Sequence, residues 1–466
     1  MYRLALPLVL LFLSTITTAQ VSSEGLVTAN FKVSDLTPSM ASLLVQEQGS
    51  VRLKSVFLET LGTSGDDYAS SVQLTSDGGF IIAGDTNGVG AGAQDMLLVK
   101  VDGSRKIQWA KAAGSIGNDI ALSVRQTSDG GYIVTGQTDS FSGVGQILLA
   151  KFGATGAFQW ASTLGNPSDS AAGQSVQQTT DGGYIVSGFP GGAIGGLGLL
   201  KYDPAGQLQW LRRASATNFY GASVQQTSDG GYIVTGPRQT GTTYDLALVK
   251  FDGSGNLQWA QLAGGMDYEI GNSVQQTSDG GYVVAGTTAS FFQGQDVLLL
   301  KYDSTGTLQW SQINGGPSDD AADSVQQTSD GGYIVAGHTT SFGTGGNVLL
   351  QKYDSSGTLQ WARAGGGSAS VASVQQAPDG GYLVAASTAS FGAGGSDILI
   401  IKTNASGDIL GCGDWASINP TVTVATFPSA ANSYPIDSPT FNVSSPTLGV
   451  AAVKLNRRLQ CEKCER

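Results

Sequence analysis

The residue types that most often serve nucleophilic, redox and metal chemistry are scarce in this chain. It has one histidine, His338, and three cysteines, Cys412, Cys461 and Cys464. No Gly-x-Ser-x-Gly elbow and no motif carrying two histidines is present, so the common serine-hydrolase and zinc-hydrolase arrangements lack their residues. Glycoside hydrolysis needs only two carboxylates at a suitable separation, and Glu269 with Asp320 or Asp67 is the combination able to supply it. Cys461-Glu462-Lys463-Cys464 has the spacing of a metal or redox pair but stands without a second pair. A disulfide is therefore the expected chemistry, joining Cys412 to Cys461 or to Cys464. No catalytic residue, metal site or cofactor is expected. Calcium in Asp319-Asp320-Ala321-Ala322-Asp323 is the alternative, although the spaced acids and following glycine of a helix-loop-helix calcium loop are missing.

The elements that must position these residues are set by repetition. Asp-Gly-Gly followed by an aromatic residue recurs about every fifty residues, at Asp77, Asp129, Asp181, Asp229, Asp279, Asp330 and Asp379. Each copy divides into four strands by turn chemistry. In residues 273–315, Ser273 to Thr277 runs into the Asp279-Gly280-Gly281 hairpin and Tyr282 to Ala285 returns. Val297 to Lys301 forms a continuously apolar third strand, and Asp303 to Gly306 turns it into a fourth that carries Trp310. A four-stranded sheet of this size cannot cover both apolar faces alone, whereas stacking copies around an axis covers all of them. The fold class predicted is all-β, a seven-bladed β-propeller of four-stranded antiparallel blades. Its ring is closed by an N-terminal strand, because Val56 to Leu61 reads as a fourth strand without its preceding three, and the seventh copy loses its own fourth strand at Gly411.

The IVAG strand, the SFGxGxxD loop, the LLxKYDxxGxLQW hairpin and the DGGY turn resemble the repeats of secreted bacterial and archaeal β-propeller proteins, over residues 56 to 410. The resemblance implies the fold and an innermost first strand, but no defined activity. On that arrangement the tight turns share one face of the ring and the long loops share the other, where binding residues usually lie. The long-loop candidates for ligand binding are Tyr220, Arg238, Asp267, Glu269, Asp319, Asp320 and His338. Acids in these loops also serve as turn formers, and the recurring loop Phe residues, Phe141, Phe291, Phe292, Phe342 and Phe391, read as anchors. Trp109, Trp160, Trp210, Trp259, Trp310 and Trp361 recur at one strand register, which argues for packing between blades rather than a sugar platform, and Phe57 takes the same register at the closure. Lys100, Lys151, Lys201, Lys250, Lys301, Lys352 and Lys402 recur likewise and are expected to sit beside an Asp.

Residues 1–19 read as a secretory signal, with Arg3, an apolar run from Leu4 to Leu13 and small residues before Gln20. A lead segment, 20–55, then precedes the propeller, 56–410, and a C-terminal extension, 411–466, is expected to be small and either β-rich or irregular. The formal charge of −12 and the absence of a long apolar run argue against nucleic acid and a transmembrane segment. The expected protein is a secreted or cell-surface monomeric ring, the periplasm being the other address. Its expected function is non-catalytic binding of an extracellular protein or glycan, the alternative being a carbohydrate-active enzyme with carboxylates on the long-loop face.

Overall fold

The computed structural model describes the backbone of residues 2–3, 19–21, 27–29 and 55–464, apart from 166–167, 192–195, 215–218, 292, 344, 410, 414, 425–426, 428, 432–435, 438–441 and 445–447. The chain forms two units, Met1–Val51 and Arg52–Arg466. In the first, Tyr2–Arg3 and Ala19–Val21 both pair antiparallel with Val27–Ala29. Most of the signal and lead segments lie outside the described residues.

The second unit is a seven-bladed β-propeller, and no helix occurs among its described residues. The fifth blade shows the pattern: Glu269–Gln276, Tyr282–Thr288, Asp296–Tyr302 and Leu308–Gly315 pair in sequence order, all antiparallel. The second and third strands are buried along their whole length, which is why they read as apolar runs rather than alternating ones. Core residues come from neighbouring blades together. Val283, Ala285, Val297 and Leu299 of the fifth blade pack with Ala322, Val325, Tyr333 and Leu349 of the sixth. The blade junction, not the single blade, is thus the unit of the hydrophobic core.

The repeated Trp residues lie at these junctions, half-buried rather than sealed. Each ring sits 5.6 to 6.0 Å from the hairpin Tyr of the next blade, as in Trp109 with Tyr132 and Trp210 with Tyr232. The following blade also lays a turn glycine on the indole. A Cβ at Gly357, where φ is +85°, would come 2.9 Å from Trp310, so glycine is required both for the backbone and for the contact. The Lys series is more deeply placed than a snorkelling side chain. Lys100 is 2% exposed, and its Nζ donates to Asp77 of its own Asp-Gly-Gly hairpin and to the Val101 carbonyl. The same ion pair recurs at Lys151–Asp129, Lys201–Asp181, Lys250–Asp229, Lys301–Asp279, Lys352–Asp330 and Lys402–Asp379.

The ring closes as the broken repeat implies. Ser55–Gly62 completes the seventh blade by pairing with Asp397–Lys402, placing Leu61 opposite Ile398 and Phe57 opposite Lys402. Phe57 is fully buried in a cluster shared by the seventh and first blades, under the Arg105 guanidinium at 4.2 Å. The seam carries its own code. At the other junctions a Gln Oε1 accepts the N–H of the residue preceding the hairpin Asp in the blade before it, for example Gln126 from Ser76 and Gln327 from Ser278. At the seam that residue is Pro378, which has no N–H, and the facing position is Leu74, which has no acceptor.

The C-terminal extension is β-rich but does not form a separate appendage. It travels round the outside of the ring against the order of the blades. Trp415–Ile418 pairs with the outer strand of the sixth blade and Thr421–Thr423 with that of the fifth. Ser429–Ala431, Ile436–Asp437, Asn442–Ser444 and Gly449–Ala452 then serve the fourth, third, second and first blades. Asn456–Cys464 ends the circuit on Ser55–Gly62 of the seventh. Every blade therefore gains a fifth strand, and the outer edges that an unbelted propeller would expose are paired. The end of the belt is fixed by charge as well: buried Glu59 accepts from Arg457 of the belt and from Arg105 of the first blade.

Candidate functional site

The seven inner strands surround a central channel with a cavity of about 340 Å³. Its middle layer is constant. Ser71, Ser123, Ser175, Ser223, Ser273, Ser324 and Ser373 each accept a hydrogen bond from the Val N–H of the next blade, and the last link, Val72 to Ser373, closes the circle. Toward the tight-turn face, Gln177, Gln225, Gln275, Gln326 and Gln375 give their Oε1 atoms to backbone N–H groups of the next blade, which leaves their NH₂ groups to line the channel. Arg125 occupies this register in the second blade. Its Nη1 donates to the Val124 carbonyl, burial lowers the guanidinium pKa, and no carboxylate pairs with it among the described residues.

Above the Ser layer the lining varies. The residue just before each SVQQ-like run is Ser70, Leu122, Gln174, Ala222, Asn272 and Asp323 in the first six blades, and these side chains line the cavity. In five of these blades the residue sits in a β-bulge, as where the register of the fifth blade slips between Gly271 and Ser273 and that of the sixth between Ala322 and Ser324. A bulge turns an extra side chain out of the pleat, here toward the axis. The scaffold therefore presents a circle of differing side chains on an otherwise uniform wall. Asn272 donates to the Ala322 carbonyl across the junction. Asp323 holds His338 through a 3.0 Å contact between Oδ2 and Nδ1. That hydrogen bond, with the charges of Asp320 and Asp319, raises the His338 pKa against the opposing effect of burial.

The candidates read from sequence do not form one cluster. His338 belongs to the channel mouth through Asp323, a partner that the reading by long loops had left in a calcium stretch. Asp267 and Asp319 are exposed on the loops, with Asp319 Oδ1 capping the Gln295 N–H. Tyr220 is half-buried, packed edge-on against Phe189 at 5.2 Å, and Arg238 is half-buried on the long hairpin of the fourth blade. Glu269 and Asp320 are fully buried, not rim residues, and so is Asp67. Each faces a different acid: Glu269 is raised in pKa by burial with Asp245 nearby, Asp67 by burial with Asp397, and Asp320 lies beside Asp296. The three are thus at separate blade junctions, and the carboxylate pairing suited to glycoside hydrolysis is not assembled from them. Phe292 lies outside the described residues, while Phe291 packs against Phe427 of the belt at 5.1 Å. No group of three or more His, Cys, Asp or Glu suited to a metal occurs among the described residues.

Ser70, Leu122, Gln174, Asn272, Asp323 and Arg125 were not singled out from sequence, though a signal was there: one position varies beside an almost constant SVQQ. No family model matches the chain, and no curated protein does. Among solved structures it is similar to Chaetomium thermophilum Sqt1 bound to the N-terminus of the ribosomal protein L10, at 11% identity over 70% of this chain and 84% of that one, with a TM-score of 0.42. A protein of unknown function from Bacteroides caccae is 13% identical over 59% of this chain and 91% of that one, with a TM-score of 0.33. One from Dyadobacter fermentans is 11% identical over 74% and 98%, with a TM-score of 0.37. Likenesses this distant assign no activity to the chain.

Proposed function

We propose that this protein is an exported, non-catalytic binding propeller of the secreted bacterial and archaeal repeat type, taking a polar segment of an extracellular protein or glycan at the long-loop mouth of its channel. The observation that carries this reading is the varied circle of side chains, Asn272 and Asp323 with His338 among them, set on a wall of repeated hydroxyl and amide groups. Differing side chains presented toward the axis above a constant layer mark where recognition departs from scaffold. The test is a glycan and peptide array probed with the full chain and with a variant carrying Asn272→Ala and Asp323→Ala, followed by product analysis of any hit. Binding without cleavage that falls at least tenfold in the variant, at unchanged melting temperature, is expected. Equal binding by both proteins would contradict the site, and released product would favour the carbohydrate-active alternative.

Export rests on residues 1–19 and is checked by sequencing the mature N-terminus, expected at Gln20. An oxidising destination fits a disulfide between Cys412 and Cys461 or Cys464. What supports that pairing is that Cys412 is buried beside the seventh blade, and that Cys461 and Cys464 lie on the belt strand ending there, opposite Leu58 and Ser55. Such a bond would close the belt into a covalent hoop. Among the described residues no helix is long and apolar enough to cross a membrane.

A further inference from the structure

Across the blade junctions the residue five before a third-strand Lys stands against the residue four before the Ser of the next inner strand. The backbone shows the register: the N–H of Asp119 bonds to the carbonyl preceding Asp95, that of Asp320 to the carbonyl preceding Asp296, and that of Asp67 to the carbonyl preceding Asp397. Four junctions place two acids there: Asp95 with Asp119, Asp245 with Glu269, Asp296 with Asp320, and Asp397 with Asp67. The other three place none, having Gln146 with Ala171, Gly196 with Phe219, and Asn347 with Ala369. No junction has a single carboxylate. Across seven copies of one unit, the two acids are present together or absent together.

These groups are not surface turn formers. Asp67, Asp119, Glu269, Asp296 and Asp320 have no exposed area, and none of the eight acids is in an ion pair among the described residues. Three of the inner-strand acids are anchored by one oxygen: Asp67 Oδ2 accepts from the Thr63 N–H and hydroxyl, Asp119 Oδ2 from the Ser115 N–H and Ser140 hydroxyl, and Asp320 Oδ2 from the Gly316 N–H and Ser341 hydroxyl; Glu269 accepts at both oxygens, from the Gly265 N–H and the Thr288 hydroxyl. Their other oxygens, Oδ1 of Asp67, Asp119 and Asp320, have no partner, and neither oxygen of Asp296 has one. A glycine leaves room between the two carboxylates. A Cβ at Gly315 would lie 1.9 Å from Asp296 Oδ1 and 3.1 Å from Asp320 Oδ2, and one at Gly114 would lie 2.1 Å from Asp95 Oδ1 and 2.8 Å from Asp119 Oδ2. Two buried like charges converging on one space are costly unless something positive is shared between them.

We propose that these four carboxylate pairs are divalent-cation sites, occupied by Ca²⁺, that pin the junctions between blades 1 and 2, 4 and 5, 5 and 6, and 7 and 1. The donor set is all oxygen, with no His, Cys or Lys, which is the chemistry of a hard cation, and water and loop carbonyls complete its shell. A shared proton would be served equally well by one acid facing one amide. Yet Gln146 and Asn347 face alanines, and no mixed junction occurs. A divalent cation instead needs both negative charges, which accounts for their joint loss.

The experiment uses the full chain stripped with EGTA and then titrated with CaCl₂. Binding of up to four Ca²⁺ per chain and a rise in melting temperature of at least about 5 °C are expected. The double variant Asp296→Asn with Asp320→Asn should bind one ion fewer and melt higher than the parent in EGTA. A second variant, Gln146→Asp with Ala171→Asp, should gain an ion at the junction of blades 2 and 3, which also has a glycine, Gly165, against Gln146. No bound Ca²⁺ and identical melting in EGTA and CaCl₂ would overturn the proposal. So would a metal-independent protein in which Asp296→Asn alone stabilises as much as the double variant, since that is the behaviour of a shared proton.

Discussion

Six of the hairpin acids, Asp77, Asp129, Asp181, Asp229, Asp279 and Asp330, are drawn in two directions. Burial works to raise their pKa values, but at Asp129 the Thr127 hydroxyl, the Lys151 ammonium and the Gly131 N–H outweigh it and hold the group at about 2. Asp181, Asp229, Asp279 and Asp330 are held at about 2 in the same way. A carboxylate whose folded-state pKa lies below its unfolded value adds stability above the unfolded value and loses it as the pH falls through the folded one. The melting temperature should therefore fall steeply between about pH 4 and pH 2. Replacing Asp229 and Asp279 together by Asn should flatten that loss while lowering stability at pH 7, and an unchanged acid slope by circular dichroism would count against the Lys–Asp series as a structural device. These carboxylates are more than half exposed, so each contributes modestly. The pairing of Lys with Asp was legible from recurrence. The burial of Asp67, Glu269 and Asp320 was not, because an acid in a loop looks the same whether the neighbouring blade covers it or water does.

Among elements, the hairpins and the four-strand rhythm followed from glycine positions and apolar runs, and so did the role of residues 55–62, whose Phe57 keeps the aromatic register. The seam shows how finely a strand can be matched to its neighbour. Leu74 and Pro378 replace an acceptor and a donor together, so neither faces a group that it cannot pair with. Restoring the pair by Leu74→Gln with Pro378→Ser should give a favourable coupling of about 0.5 to 1.5 kcal/mol in a double-mutant cycle. Additive single effects, measured by urea denaturation, would show that the two positions do not communicate. The bulges of the inner strands were not legible: a bulge adds one residue without a special sequence, and only the pairing register displays it.

For the whole molecule, seven copies in series implied the closed ring, whereas the course of residues 415–464 could not be read, because its strands of two to nine residues carry no repeat and acquire meaning only against the blade edges they cover. Removing residues 413–466 should leave all seven outer edges unpaired, lower the melting temperature and promote self-association in analytical ultracentrifugation. A truncated chain that stays monomeric and melts unchanged would make the belt incidental. With the belt and the closing strand holding the ring, the proposed recognition falls to the channel mouth, where differing side chains stand above the constant Ser layer. The most direct test narrows that mouth alone. Ala222→Tyr inserts a ring into the cavity from the fourth blade, at a position outside the junction carboxylates and the Ser layer. Using a hit from the array, calorimetry should show affinity reduced at least tenfold with the melting temperature within about 2 °C of the parent, whereas full affinity in a folded Ala222→Tyr protein would contradict a channel-mouth site.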